Sequence, residues 1–175
     1  TALGAIIIAL LLPVYYQSTT TFYAASPDLA TPEAIFGESG TAPDYYGTEN
    51  DMDRILSIAK SGELIDFMID SFKLYEHYDI APDSPLGPYY VRLEFGDHFD
   101  AIKTKYDAIK LTIEDVDKEL AASMCNAARD KIDEISQKLT KESQKTLLLS
   151  YNKSISEQQL KSSMLTDSLN KLKLK

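Results

Sequence analysis

Cysteine and histidine, the residues that most often build redox and metal sites, are scarce in this sequence. The single cysteine, Cys125, excludes a disulfide bond within the chain. It lies in an apolar helical pattern, which favours a small buried residue over a nucleophile. Of the two histidines, His98 stands in the sequence Asp-His-Phe-Asp at 97–100. Those residues could ligate a metal, but a helix that starts with Asp97 as its cap and leaves His98 exposed is the simpler explanation. We therefore predict no metal site.

Glycine-rich phosphate loops are also missing. The glycines lie at positions 4, 37, 40, 47, 62, 87 and 96, and none of these spacings gives GxGxxG or GxxxxGK. The sequence contains no HExxH, CxxC or GxSxG motif. Glu49, Asp51 and Asp53 alternate around a predicted helix start, which favours a solvated face over a catalytic carboxylate pair. We predict no catalytic residue and no cofactor, in a protein that is not an enzyme.

Positive charge is scarce in the first hundred residues. Residues 1–100 carry 4 Lys and Arg against 16 Asp and Glu, or −12, whereas residues 101–175 carry 14 against 11, or +3. Nucleic-acid-binding domains need a basic patch or stripe, and none with interleaved aromatic residues is present. The sequence therefore predicts an acidic domain followed by a Lys-rich helical arm, with no nucleic-acid partner.

One long hydrophobic run opens the chain. Eleven consecutive residues from Ala2 to Leu12 carry no polar side chain, and Tyr15 and Tyr16 follow. A helix needs about 20 apolar residues to cross a bilayer, so residues 1–16 are interpreted as the outer part of a transmembrane helix. The two tyrosines would then lie at the lipid–water boundary. A signal-peptide core and a buried helix are the alternatives.

The middle of the chain predicts a mixture of strands and helices. Residues 17–25 are rich in β-branched and aromatic types and predict a strand, and residues 26–48 predict an extended loop. Thr48 then caps a helix whose apolar residues recur at helical spacing. A second helix is expected to start at Ser61-Gly62 and to end before Asp79.

The next segment is less regular. Residues 81–88 predict a turn-rich connection, and residues 89–95 are compatible with a short strand or with the start of a helix. Residues 97–103 predict one or two helical turns. Residues 106–115 alternate with a period of two, which predicts a strand with Ile109, Leu111 and Ile113 on one face.

The last element is a long helix. From Asp117 to Lys175 there is neither proline nor glycine, and about 1.5 Å of rise per residue makes such a helix on the order of 80 Å long. Its first part has the wide apolar stripe of a helix packed on a sheet: Leu120, Ala121, Met124, Cys125, Ala128 and Ile132. A heptad pattern follows, and its apolar members are the candidate oligomer-interface residues: Leu148, Tyr151, Ile155, Leu165 and Leu169. This seam needs partner helices, from other subunits or from residues beyond 175.

These features predict an α/β (α+β) fold. We expect a small mixed sheet packed against helices, a long protruding C-terminal helix and an N-terminal transmembrane helix. The predicted boundaries are 1–16 for the transmembrane helix, 17–116 for the α/β domain and 117–175 for the long helix.

The order of these elements resembles that of the chain-length determinant (polysaccharide co-polymerase) family. The likeness runs from about residue 3 to about residue 160 and includes the helix pair at 53–61 and 64–70. The strand 109–115, followed by Asp-Lys-Glu-Leu-Ala-Ala at 117–122 and by Asn126, is similar to the family segment that leads into a very long helix. The family usually has a proline where Asp117 or Lys118 stands here.

The resemblance implies a bacterial inner-membrane protein with its main domain in the periplasm. It implies a homo-oligomer that sets the chain length of O-antigen, capsule or exopolysaccharide together with a membrane polysaccharide polymerase. The lipid bilayer is a further expected partner, and glycan is another candidate. A membrane-anchored periplasmic adaptor of a secretion or efflux system, and a sensor ectodomain, are the alternative functions.

Overall fold

The computed structural model describes residues 13–25 and 46–173. Two compact units divide the chain, residues 1–136 and residues 137–175, and they are called the body and the distal unit below. The elements are β1 (Tyr16–Phe22), α1 (Glu49–Ala59), α2 (Gly62–Ser71), α3 (Leu74–His77), α4 (Gly87–His98), β2 (Phe99–Lys103), β3 (Ile109–Asp115) and α5 (Lys118–Lys173). The predicted α+β class, with a sheet, packed helices and a long C-terminal helix, is confirmed.

The three strands form one antiparallel sheet with the order β1-β3-β2. Thr19 pairs with Thr112 on one side of the central strand, and Ala101 pairs with Leu111 on the other. The predicted mixed sheet is therefore wrong. A tight hairpin turn joins β2 to β3 and forces them to run in opposite directions. Asp107 takes a left-handed conformation in that turn, with φ of 57°.

The core lies between this sheet and the helices. Ile109, Leu111 and Ile113 of β3 are fully buried, as the period-two pattern predicts. The predicted stripe at the start of α5 belongs to the same core, with Ala121, Met124, Cys125, Ala128 and Ile132 buried and Leu120 partly buried. Because β1 and β2 flank it on both sides, β3 has its backbone paired along both edges and makes a natural centre for the core.

The predicted transmembrane helix lies mainly outside the described residues, since 1–12 are not among them. Pro13, Val14 and Tyr15 have no regular secondary structure, and β1 begins at Tyr16. A helix that continues to residue 16 is therefore wrong, because Tyr16 pairs with Asp115 in the sheet. Within 13–25 and 46–173, no helix combines the length and the hydropathy that crossing a bilayer requires.

The start of α1 follows the predicted capping chemistry. Asp51 accepts hydrogen bonds from the backbone nitrogen and the hydroxyl of Thr48, both at 2.9 Å, which makes a capping box for α1. Ser61 caps α2. The single helix expected up to Asp79 is instead two, because Lys73 adopts a left-handed φ of 51° between α2 and α3.

The region from 87 to 103 differs most from the prediction. The segment that the sequence left open between strand and helix is α4. The helical turns predicted over 97–103 are wrong beyond His98, because Phe99–Lys103 forms β2 and pairs with β3. Asp97 therefore lies near the end of a helix and does not cap one. Most of the predicted loop, residues 26–45, lies outside the described residues, and a bridge between Ala25 and Tyr46 joins its two ends.

Candidate self-association surface

The distal unit exposes every large apolar side chain that the structure describes in it. The five predicted interface residues all lie on α5 and are between 49% and 62% exposed: Leu148, Tyr151, Ile155, Leu165 and Leu169. Six further apolar residues of the same unit are between 44% and 72% exposed: Leu139, Leu147, Leu149, Leu160, Met164 and Leu172. The structure therefore places the predicted residues on an uncovered helical surface.

These residues form two stripes. Successive residues of an α-helix are rotated by about 100°, and on this basis the predicted heptad residues and Leu172 follow one slowly drifting line, called the heptad stripe. Leu149, Leu160 and Met164 fall roughly on the opposite side of the helix and form a second stripe. The heptad pattern found the first stripe. The heptad pattern did not predict the second stripe, because its three members are widely spaced and follow no strict seven-residue repeat.

Several polar side chains of the distal unit make hydrogen bonds within the helix itself. Hydroxyl groups donate to carbonyl oxygens one turn earlier, as Ser156 does to Asn152 at 2.9 Å and Thr166 does to Ser162 at 2.9 Å. Lys153 and Glu157 approach each other at 4.0 Å. Isolated helices gain little stability from such local contacts, and most helices depend on tertiary packing of an apolar face. The distal unit therefore presents apolar surface that its own polar contacts do not cover.

Charge differs between the two units. Residues 137–175 carry 8 Lys against 3 Asp and Glu, or +5, and residues 1–136 carry 10 Lys and Arg against 24 Asp and Glu, or −14. The described lysines of the distal unit are spread along the helix, and Lys153 falls on the same side as Leu149, Leu160 and Met164. A net charge of this size favours the solubility of a helix with exposed apolar residues and disfavours its unspecific aggregation.

In the body, a chain of polar contacts fixes the first turn of α5. His77 Nε2 lies 2.7 Å from Asp115 Oδ2, and Asp115 Oδ1 accepts a hydrogen bond from the backbone nitrogen of Asp117 at 2.8 Å. Asp117 in turn accepts bonds from the backbone nitrogens of Leu120 and Glu119, which hold the pKa of its carboxyl below the usual value. These contacts tie α3 and β3 to the start of the long helix.

Aromatic rings surround this polar chain. The Tyr78 ring is 5.0 Å from the His77 ring, and His98 stacks on Tyr15 at 5.1 Å. Burial, followed by the nearby carboxylate of Asp115, raises the pKa of the Tyr78 hydroxyl. Within the described residues that hydroxyl is buried and has no hydrogen-bond partner. The contacts of this cluster join elements of the body, and they are typical of a structural role.

The other candidate sites of the sequence are not brought together. Asp97 and His98 end α4 whereas Asp100 belongs to β2, and His98 contacts Glu94 at 3.5 Å. In the part of the chain that the structure describes, no three His, Cys, Asp or Glu side chains are grouped as a metal would require. Cys125 is buried as predicted, and burial raises the pKa of its thiol.

Comparison of the chain with protein-family models, with curated proteins and with solved structures finds no match. The resemblance to the chain-length determinants thus stays a prediction based on the sequence pattern.

Proposed function

We propose that this protein is a non-enzymatic, oligomeric scaffold of the bacterial inner membrane that regulates the chain length of a surface polysaccharide. Its main domain would lie in the periplasm, and its partner would be a membrane polymerase that makes O-antigen, capsule or exopolysaccharide. One observation carries the proposal, namely the apolar surface that the distal part of α5 leaves uncovered. The resemblance in sequence pattern supplies the biological setting.

The two stripes support an assembly larger than a dimer. A helix with a single apolar seam is satisfied by one neighbour, as in a two-stranded coiled coil. The distal helix has apolar residues on two roughly opposite sides, so it can pack against a neighbour on each side. Such contacts, repeated from copy to copy, close into a ring when the rotation between neighbours closes and extend into a filament when it does not. Gln158 and Ser162 occupy heptad positions between Ile155 and Leu165, and as polar residues they weaken the heptad stripe there.

The beginning of the chain supports the membrane location. The apolar residues 2–12 lie three residues before β1, and β1 is an edge strand of the sheet. A membrane-inserted segment at this point would hold each copy of the body at the bilayer surface and would raise the local concentration of distal helices. Confinement at a membrane raises the effective concentration of the helices, so weak lateral contacts between copies give a higher overall affinity. In the mechanism proposed here, the geometry of the assembly limits how long the growing glycan stays engaged with its polymerase.

The test is to place charge on the heptad stripe. Leu148→Asp together with Ile155→Asp should break the assemblies of full-length protein in detergent, because two carboxylates would have to be buried in an apolar contact. Light scattering measures the particle mass. The matched control is Ser143→Asp with Ser150→Asp, which adds the same two charges to exposed positions of the same helix that belong to neither stripe. The control should keep the mass of the wild type.

The same variants test the biological role. A gel of the surface polysaccharide should show a changed length distribution when Leu148→Asp with Ile155→Asp replaces the wild type, and an unchanged one for the control pair. Particle mass that stays the same in the stripe variant contradicts the assembly. A normal length distribution in cells that lack the gene contradicts the role in polysaccharide synthesis.

A further inference from the structure

The body carries an open cleft that neither the sequence motifs nor the proposed scaffold accounts for. It lies where the chain leaves β1, where α1 starts and where the β2–β3 turn projects, and its volume is about 460 Å³. Three tyrosines line it, Tyr23, Tyr46 and Tyr106, and each is more than half exposed. Large aromatic side chains gain most from burial, so three exposed rings around one cleft indicate a binding surface.

Two of the rings are held by tightly fixed backbone. Tyr23 and Tyr46 lie with their ring centres 5.2 Å apart, and the bridge between Ala25 and Tyr46 joins their two chain segments. The neighbouring Gly47 donates a hydrogen bond to the Ala24 carbonyl at 2.7 Å. A Cβ atom at position 47 would come within 2.9 Å of the Cβ of Ala24, so this close approach requires glycine.

The third ring stands on the β2–β3 turn. The Thr104 hydroxyl accepts hydrogen bonds from the backbone nitrogens of Tyr106 at 3.3 Å and of Ala108 at 3.2 Å. Asp107, beside the ring, is held in the left-handed region. Lys105 Nζ lies 4.8 Å from the centre of the Tyr106 ring. The ring is therefore presented by an ordered turn, which reduces the entropy lost when a ligand binds.

Polar groups complete the wall of the cleft. Lys103 Nζ contacts Glu49 Oε1 at 3.0 Å and Asp107 Oδ1 at 3.5 Å. Both carboxylates are largely exposed, so each retains oxygen atoms that can accept further hydrogen bonds. One ammonium stands between two carboxylates, and Lys105 adds a second positive charge nearby. The cleft is thus close to neutral and rich in hydrogen-bonding groups.

This combination selects a ligand with an apolar face and a hydroxylated edge. Because the ammonium groups of Lys103 and Lys105 balance the carboxylates of Glu49 and Asp107, the cleft offers neither an anion nor a cation a net electrostatic attraction, which leaves a neutral ligand. A pyranose ring offers C–H groups that stack on an aromatic face and hydroxyl groups that donate to carboxylates. We propose that the cleft lined by Tyr23, Tyr46 and Tyr106 is a binding subsite for neutral sugar rings of an oligosaccharide.

The proposal stands apart from the scaffold, since it depends only on residues of the body. It is tested with full-length protein in a detergent that has no sugar headgroup, using a glucose hexasaccharide and an N-acetylglucosamine hexasaccharide as probes. Saturation-transfer NMR and tyrosine fluorescence detect binding, and the fluorescence comes from tyrosine alone because the chain has no tryptophan. We expect at least one probe to bind with a Kd in the millimolar range or tighter, as a shallow, open cleft allows.

The variants locate the site. Tyr46→Ala with Tyr106→Ala should weaken binding about tenfold or more, since two stacking rings are removed. Tyr46→Phe with Tyr106→Phe should retain most of the affinity because the rings remain. The control is Tyr89→Ala with Tyr90→Ala, which removes two exposed rings of α4 that do not line the cleft. Tyr106→Ala alone, at an exposed turn, gives a test that does not disturb the bridge at Tyr46.

The proposal is wrong if neither hexasaccharide binds the wild type at about 10 mM. It is also wrong if the affinity is unchanged in both Tyr46→Ala with Tyr106→Ala and Tyr106→Ala alone. The third contrary outcome is that the α4 control weakens binding as much as the double Ala variant of the cleft does. The scaffold proposal is tested by a different measurement, the particle mass, so either proposal can fail without the other.

Discussion

The proximal and distal parts of α5 have similar helix-forming sequences and opposite environments. In the body, Ala128 and Ile132 are completely buried in the core, whereas in the distal unit Ile155 and Leu165 are more than half exposed. Both parts are free of proline and glycine and rich in good helix formers. Helix formation is therefore a local property of this sequence, whereas burial depends on whether another surface lies opposite the apolar stripe.

The comparison also separates two uses of apolar residues. In the body they stabilise the fold, because they leave water when the sheet and the helices come together. In the distal unit the same residue types remain in contact with water in a single chain, so their burial is available for association. A substitution in one part should change the free energy of unfolding, and the same substitution in the other part should change the assembly.

The sharpest test is one substitution made at both places. Ile132→Ala should lower the free energy of unfolding by about 2–5 kcal/mol, because it leaves a cavity in a packed core. Ile155→Ala should change it by about 0.5 kcal/mol or less, because the side chain is 54% exposed. Urea titration followed by circular dichroism measures both, at a protein concentration where the chains are separate.

Self-association should be weakened by the distal substitution and not by the core substitution. At higher concentration Ile155→Ala should reduce the particle mass, and Ile132→Ala should not, as long as the body stays folded. An equal loss of folding stability in the two variants would show that the distal helix is covered within its own chain and would remove the contrast drawn here.

The polar contacts of the two units give a second, smaller contrast. His77→Ala should lower the free energy of unfolding by about 1–3 kcal/mol, because the buried carboxylate of Asp115 loses its 2.7 Å partner. Lys153→Ala removes an exposed, 4.0 Å pair with Glu157 and should have almost no effect. Thermal unfolding of the two variants provides the measurement. No loss of stability in His77→Ala would mean that solvent already satisfies Asp115.

The sequence predicted those helices and strands that are determined by residues close together in the chain. The cap at Thr48, the helix start at Ser61-Gly62 and the length of α5 all depend on neighbouring positions, and the structure confirms them. The strand predicted over 106–115 is confirmed for 109–115. The candidate seam was found for the same reason, since a heptad repeat is visible within a few turns. Whether copies of the chain cover it stays a prediction.

The elements that were missed depend on distant partners. Phe99–Lys103 forms a strand because Phe99 pairs with Ile113 and stacks on Phe95 at 5.3 Å, contacts that a short window of sequence does not contain. The helix break at Lys73 has no glycine to mark it. The cleft was missed because its three tyrosines come from separate segments and meet only when the sheet forms.

Hydroxyl groups give a third contrast of about 1 kcal/mol. Ser61 caps α2 by accepting a bond from the Leu64 nitrogen at 3.3 Å, so Ser61→Ala should destabilise the body by about that amount. Ser156 only donates to a carbonyl oxygen within the distal helix, so Ser156→Ala should leave helicity unchanged or raise it, since alanine is the better helix former. Circular dichroism at 222 nm and thermal unfolding distinguish the two. A drop in helicity for Ser156→Ala would contradict this account of the distal unit.

The smallest expected effect concerns pH at the start of α5. Backbone hydrogen bonds from Leu120 and Glu119 lower the pKa of Asp117 below its ordinary value of 3.8, so its charged form stabilises the folded body above that pH. This stabilisation is lost as the pH falls through the lowered value. Asp117→Asn keeps an oxygen that can cap the helix but cannot titrate, so the wild type should unfold at a slightly higher temperature at neutral pH, and the gap should close in acid. Asp167→Asn, near the end of the distal helix, removes a charge without removing an N-terminal cap and serves as the control. A gap between wild type and Asp117→Asn that is the same at neutral and at acid pH would mean that the charge of Asp117 contributes nothing beyond its hydrogen bonds.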